Sequence, residues 1–212
     1  MKKVLLSVLL VVLSVSAAFA GATEDLFVAV EDEITSEALQ GFLKAGADLK
    51  AKNEEGKTVL IFAAGFKNNP ETFQTLIDAG SDVNAKDNKG WTALMAVSLG
   101  VANPETVKIL IKAGADVNAK NEDGLTALMA ASADDRNVEA VKALLEAGAD
   151  VKAADSNGAT ALMYAVAGND TPALAKVLID AGADVNAKDK DGKTAKDYAA
   201  ENANAEMKKL FE

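Results

Sequence analysis

The sequence contains no cysteine and no histidine among its 212 residues. Without cysteine the chain has no disulfide, so its core alone must hold the fold together. There is also no cysteine to which the lipid of a lipoprotein could be attached. The two absences also exclude most zinc and thiol chemistry. The side chains left for catalysis are carboxylates, serines and lysines.

Proline and tryptophan are scarce, with three prolines and a single tryptophan, Trp91. Each proline follows a residue that can cap a helix, in Asn69-Pro70, Asn103-Pro104 and Thr171-Pro172. This pairing predicts that each proline is the first residue of a helix, where its missing N–H costs nothing. Asn137-Val138 occupies the equivalent place in another unit.

Basic residues are outnumbered, with 22 Lys and Arg against 32 Asp and Glu and a formal net charge of −10. Loss of Lys2 and Lys3 with the leader described next would take this charge from −10 to −12. An acidic chain does not suit a phosphate backbone or an anionic membrane surface. We therefore expect no nucleic-acid partner.

An uncharged run of 12 residues, 4–15, follows the basic start of the chain. The run is too short to cross a bilayer comfortably, and small residues follow it at Ala18 and Ala20. The pattern predicts a bacterial-type signal peptide over residues 1–20, cleaved after Ala20, and a mature chain of residues 21–212. The alternative is an N-terminal membrane anchor. Export predicts the periplasm or the extracellular space, with no membrane insertion after cleavage.

Two series of glycines recur every 34 residues. The first series is Gly56, Gly90, Gly124, Gly158 and Gly192, and the second is Gly46, Gly80, Gly114, Gly148 and Gly182. Two series that keep step over four intervals indicate one supersecondary unit that is copied and stacked.

Each unit carries the same local signals. A threonine stands two residues after each first-series glycine and predicts the N-cap of a short apolar helix. The phrase Ala-Gly-Ala-Asp-Val, with small variations, places each second-series glycine at the left-handed end of a second helix. Polar tips such as residues 53–56 and 87–90 predict β-turns between units.

Carboxylates recur with the repeat, at Asp48, Asp82, Asp116, Asp150 and Asp184. A residue present in every unit is usually architectural, and we expect these side chains to accept hydrogen bonds from turn backbone. An enzyme would instead carry a unique cluster. Turns such as residues 189–192 resemble part of a calcium loop but lack its outer ligands. We therefore predict no catalytic residue, no metal site and no cofactor.

Methionines also follow the repeat, at Met95, Met129 and Met163. Their spacing predicts core packing, and a role toward a metal or a flexible ligand is the alternative.

The pattern Gly-x-Thr-Ala-Leu-Met, followed by Ala-Gly-Ala-Asp-Val-Asn-Ala-Lys and clearest in residues 87–120, resembles the ankyrin repeat over residues 24–212. The resemblance implies an all-α solenoid of helix–turn–helix units joined by β-hairpin loops. It implies an N-terminal cap over 24–55, full repeats over 56–89, 90–123, 124–157 and 158–191, and a C-terminal cap over 192–212. The sequence departs from the family by replacing Pro-Leu-His with Ala-Leu-Met and by one extra residue per unit.

Positions that vary between units are free to serve a partner, and the resemblance places two of them on a concave groove. They are the residue between Gly and Thr and the end of the first helix. The predicted partner-binding residues at these two positions are Trp91, Leu125, Lys57, Phe66 and Leu99, and the charged hairpin tips Lys89, Glu122 and Asp123 are predicted to ring the groove. The alternative is that Trp91 lies flat over its own hairpin and Phe66 plugs the core.

These observations predict a monomeric, non-enzymatic module that binds another protein in the periplasm or outside the cell. The alternative is a secreted effector, or an enzyme-inhibiting protein of the immunity type, that uses the same surface.

Overall fold

The computed structural model describes residues 21–31, 34–66, 69–168, 171–202 and 204–212. The predicted signal peptide, residues 1–20, lies outside the described residues. Within those ranges the chain forms twelve α-helices and one 3₁₀ turn, and its sole strand-like feature is an isolated bridge between Ala154 and Thr160. The all-α fold class is thereby confirmed.

The helices form pairs along the chain. In chain order they are α1 (Ala22–Ala29), α2 (Ser36–Lys44), α3 (Val59–Ala63), α4 (Pro70–Asp78), α5 (Ala93–Ser98), α6 (Pro104–Lys112), α7 (Ala127–Ser132), α8 (Val138–Glu146), α9 (Ala161–Gly168), α10 (Ala173–Asp180), α11 (Ala195–Glu201) and α12 (Ala205–Lys209). The 3₁₀ turn covers Asp135–Asn137. Odd-numbered helices pack against odd-numbered neighbours and even-numbered against even-numbered, which gives two rows.

Threonine caps start the first helix of each full repeat, as predicted. The hydroxyls of Thr58, Thr92 and Thr126 accept from the backbone N–H three residues on, at 3.5, 3.3 and 3.3 Å. Thr160 does the same at 3.5 Å, and Thr194 forms a full capping box with Asp197. These helices have only five to eight residues, so the caps fix where each one begins.

Two of the three predicted proline positions are confirmed. Pro70 and Pro104 are the first residues of α4 and α6, behind the capping side chains of Asn69 and Asn103. For the third proline the prediction is wrong by one residue, because Pro172 has a ψ of 0° and the α-helix begins at Ala173. Asn137 makes no side-chain cap either, because its amide is engaged elsewhere.

The second helices end as predicted, with second-series glycines at φ between 87° and 96°. In each turn that follows, the recurring aspartate accepts a hydrogen bond from the backbone N–H two residues on, at 2.8–2.9 Å. The aspartates are therefore architectural.

Turns at the repeat boundaries stack on each other through backbone hydrogen bonds. One such bond joins each pair of adjacent tips, for example from Glu122 N–H to the Lys89 carbonyl at 3.0 Å and from Ser156 N–H to the Asp123 carbonyl at 2.7 Å. Gly124 has φ of 77°, and a Cβ there would lie 2.9 Å from Ser156 N. Glycine is therefore required both by the turn and by the next hairpin.

The core lies between the two rows of helices. Met95, Met129 and Met163 are 1%, 1% and 3% exposed, which confirms them as core residues. Two residues before the predicted start of the N-terminal cap, residue 24, also contact the fold: Ala22 is buried, and the Thr23 hydroxyl accepts from Asp48 N–H at 2.9 Å.

Candidate functional site

A groove of about 610 Å³ lies between the hairpin tips and the first helices of the first two full repeats. Its apolar lining is Ile61, Phe62, Phe66, Trp91, Ala96 and Leu99. Its polar lining is Glu55, Lys57, Asp87, Asn88 and Lys89, with Gly65 completing the surface. We call this surface the hairpin groove.

Five of the eight predicted partner-binding residues meet in the hairpin groove: Lys57, Phe66, Lys89, Trp91 and Leu99. Their convergence follows from the 34-residue step, which stacks equivalent positions of consecutive units side by side.

The other three predicted residues belong to the next hairpin and do not line the groove. Leu125 is partly buried and packs on the core. Glu122 and Asp123 are exposed, and their backbone groups join neighbouring tips. Their role toward a partner remains a prediction.

Aromatic rings form one wall of the groove. The ring centroids of Phe62 and Phe66 are 5.0 Å apart, and Phe27 meets Phe62 edge-on at 5.3 Å. Phe66 is 39% exposed and Leu99 55% exposed, so Phe66 is a surface residue and does not fill a space in the core. Trp91 is partly buried: it packs against the core and also lines the groove.

Seven lining residues are not among the eight that were predicted: Glu55, Ile61, Phe62, Gly65, Asp87, Asn88 and Ala96. Phe62 could have been found, because a phenylalanine stands there where the next two units have alanine. Ala96 could not, because its importance lies in the space that a small side chain leaves.

The charged rim is partly neutralised within the chain. Lys57 Nζ lies 2.6 Å from Glu55 Oε2, and its hydrogen bond lowers the pKa of the Glu55 carboxyl. Asp87 Oδ1 accepts from the backbone N–H groups of Lys89 and Trp91, both at 2.8 Å. Lys89 forms no salt bridge with any described residue.

The C-terminal units close the equivalent space with tyrosines. Tyr164 donates its hydroxyl to Asp155 Oδ2 at 2.9 Å, and Tyr198 donates to Asp189 Oδ2 at 2.5 Å. Burial, together with the bond to Asp155, raises the pKa of Tyr164 to about 12. The bond to Asp189 raises the pKa of Tyr198 and lowers that of Asp189. Each tyrosine ties a first helix to its hairpin.

Large exposed apolar side chains are confined to the N-terminal half of the described chain: Val28, Phe66, Leu99 and Val101. At the equivalent helix end in the third repeat stands Asp134, paired with Arg136, whose hydrogen bond lowers the pKa of that carboxyl. The first two repeats therefore offer the apolar surface.

Other kinds of site have little support among the described residues. No three carboxylates there are grouped to hold a metal ion. No described helix has the length and apolar character needed to span a bilayer.

Two stacked rows of short helices, capped unit by unit and open along an apolar groove, define a helical repeat protein. The family model described as ankyrin repeats (3 copies) matches residues 26–121, 60–155, 95–189 and 128–211. The chain belongs to the ankyrin-repeat family. A search of curated proteins found no match. Ankyrin repeats are in general modules for protein–protein interaction and are in general not enzymes.

Proposed function

We propose that this chain is an exported, non-enzymatic module that binds one partner protein in the hairpin groove. The observation that carries the proposal is the open apolar lining of that groove. Apolar groups such as Phe66 and Leu99 remain exposed there, although repeats elsewhere in the chain place small or charged residues at equivalent positions. An exposed apolar patch rimmed by charge is typical of a recognition surface.

The groove is suited to tight docking because its walls are already ordered by the stack. A partner therefore loses little free energy to ordering of this surface. Trp91 supplies a large side chain of the kind that dominates binding energy, and its own packing fixes its position. Lys89 and the other rim charges would set the association rate and help to select the partner.

Export is proposed from the N-terminal pattern, in which a basic start precedes residues 4–15 and small residues lead up to Ala20. Fractionation of source cells followed by N-terminal sequencing tests this directly. We expect a mature protein that begins at Gly21 and is released with the periplasm. A chain that retains Met1 and stays with the cytoplasm would contradict export. Recovery mainly from the culture medium would favour a secreted effector.

Site-specific photo-crosslinking tests the binding surface. The full chain is expressed in its source cell with a benzophenone amino acid at position 99 in the groove or at position 108 on α6. Lys108 is the matched control because it is exposed on a second helix of the same repeat. We expect a discrete adduct of one partner from position 99 and none from position 108.

The Trp91→Ala substitution provides a second arm, added to the chain that carries the probe at position 99. Loss of the adduct, with unchanged circular dichroism, would support the groove. Equal adducts from positions 99 and 108, or an adduct that survives Trp91→Ala at full yield, would contradict this assignment.

A further inference from the structure

Tyrosine–aspartate pairs mark one position of the repeat. Tyr164 and Tyr198 are 34 residues apart, as are Asp155 and Asp189. In both units the tyrosine hydroxyl reaches the second carboxylate oxygen, while the first accepts from the backbone of the turn. Both oxygens of each carboxylate therefore accept a hydrogen bond.

The hairpin that leads into the second full repeat contains the aspartate, but the first helix of that repeat lacks the tyrosine. Asp87 lies two repeats before Asp155, and Ala96 two repeats before Tyr164. Asp87 Oδ1 accepts its two turn hydrogen bonds, as in the other units, but Oδ2 accepts none from any described residue. Asp87 and Ala96 both line the hairpin groove. The groove therefore includes a space equivalent to the one that the Tyr164 side chain fills two units later.

The neighbouring repeats do not offer this combination. One step earlier along the stack, Phe62 supplies a ring at the position of Ala96, and the turn residue is Asn53. One step later, the turn residue is Asn121, and Ala130 is only 2% exposed. Among the described residues, only the pair of Asp87 and Ala96 joins a carboxylate and a small side chain at an open groove.

From this juxtaposition we infer that the partner presents a tyrosine side chain to the hairpin groove. Its ring packs on Ala96 beside Trp91, and its hydroxyl donates a hydrogen bond to Asp87 Oδ2, as Tyr164 does to Asp155 within the chain. The groove, at about 610 Å³, is of the size that holds drug-sized ligands and admits the ring readily. This inference rests on the proposed function, because it names the chemistry of the partner at that same site.

The test compares two small probes, p-cresol, which is the tyrosine side chain itself, and 4-methylanisole, which has the same ring but no hydroxyl proton. The chain has one tryptophan, so its indole N–H gives a single NMR resonance that reports on the groove. We expect p-cresol to shift that resonance and to bind about tenfold more tightly than 4-methylanisole, as a hydrogen bond to a charged group implies.

Asp87→Asn is the decisive variant. Asn53 and Asn121 already stand at this position and accept the same two turn hydrogen bonds, so the hairpin is retained. We expect Asp87→Asn to abolish the tenfold preference. Asp155→Asn is the matched control, because it removes a tyrosine partner outside the groove and should leave the preference unchanged. Ala96→Tyr should supply the phenol from within the chain and abolish binding of both probes.

The inference is overturned if neither probe shifts the indole resonance, if both bind equally to the wild-type chain, or if Asp87→Asn keeps the preference. Crosslinking at position 99 is independent of these results. Suppose that a partner crosslinks there but the groove does not prefer p-cresol to 4-methylanisole. The proposed function would then stand, and only the inference that the partner presents a tyrosine would be overturned.

Discussion

At the residue scale, position within the repeat decides what a side chain does. Aspartates at the second-helix turns all accept the same backbone hydrogen bond, whichever unit they occupy. Ser81 is an exception to the repeat, because the other four units have alanine there. Its hydroxyl is buried and has no hydrogen-bond partner among the described residues.

Replacing Ser81 with alanine should therefore stabilise the fold. A buried hydroxyl without a partner costs about 1 kcal/mol, and Ser81→Ala removes it and restores the residue of the other units. Urea unfolding followed by circular dichroism should show a free energy of unfolding higher by about 1 kcal/mol.

Ser98→Ala is the control, since the Ser98 hydroxyl is also buried but donates to the Leu94 carbonyl at 2.7 Å. That variant should gain nothing. A loss of stability in Ser81→Ala would mean that the hydroxyl does have a partner in solution.

At the element scale, the helices depend on their connections, because segments of five to nine residues are marginal in isolation. The break after α5 shows this dependence. Asn137, in the next unit, donates to the carbonyls of Gly100 and Ala131 at 2.6 and 3.1 Å. It also accepts from Ala102 N–H at 2.9 Å. One buried amide thus holds the break of its own repeat and that of the preceding repeat.

Asn137→Ala should be strongly destabilising. It removes three hydrogen bonds to backbone groups, two of them buried, and at about 1 kcal/mol each we expect a loss of about 3 kcal/mol in the free energy of unfolding. Asn69→Ala is the comparison, because it removes an exposed N-cap bond to Glu71 N–H and should cost about 1 kcal/mol. Similar losses in the two variants, measured by urea unfolding, would show that the three bonds of Asn137 together contribute no more than a single exposed cap bond.

At the scale of the whole molecule, two ladders of side chains link consecutive units. In one, Asn84 and Asn118 each bridge the turn of the next repeat, with bonds of 2.8–3.1 Å. In the other, Lys52, Lys86 and Lys120 each donate to a carbonyl 34 residues on. Both ladders end at the same hairpin. Lys152 stands where the asparagine ladder would continue, and Ala154 stands where the lysine ladder would continue.

The seam after this hairpin should therefore be weaker than the earlier ones, since repeat stability is a sum of units and their interfaces. Lys152→Asn should extend the asparagine ladder to Gly182 and Asp184. We expect amide hydrogen exchange in α9–α12 to slow about tenfold, equivalent to about 1.4 kcal/mol.

Asn118→Lys reverses the change at the preceding seam and should speed exchange beyond it by a similar factor. If Lys152→Asn leaves the exchange rates of α9–α12 unchanged, the asparagine ladder does not set the strength of the seams.

The sequence by itself determined the repeat, the threonine caps, the glycine turns and the architectural aspartates, because each depends on hydrogen bonds that close within a few residues. It also located Trp91, Phe66 and Leu99 on one surface, since a constant step stacks equivalent positions. Only the tertiary structure decided the rest: that Leu125 packs on the core, that Pro172 precedes its helix and that Asn137 connects two repeats. It also decided that Ala96 leaves Asp87 facing an open groove. Each of these depends on space and partners supplied by a neighbouring unit or element, which no local pattern specifies.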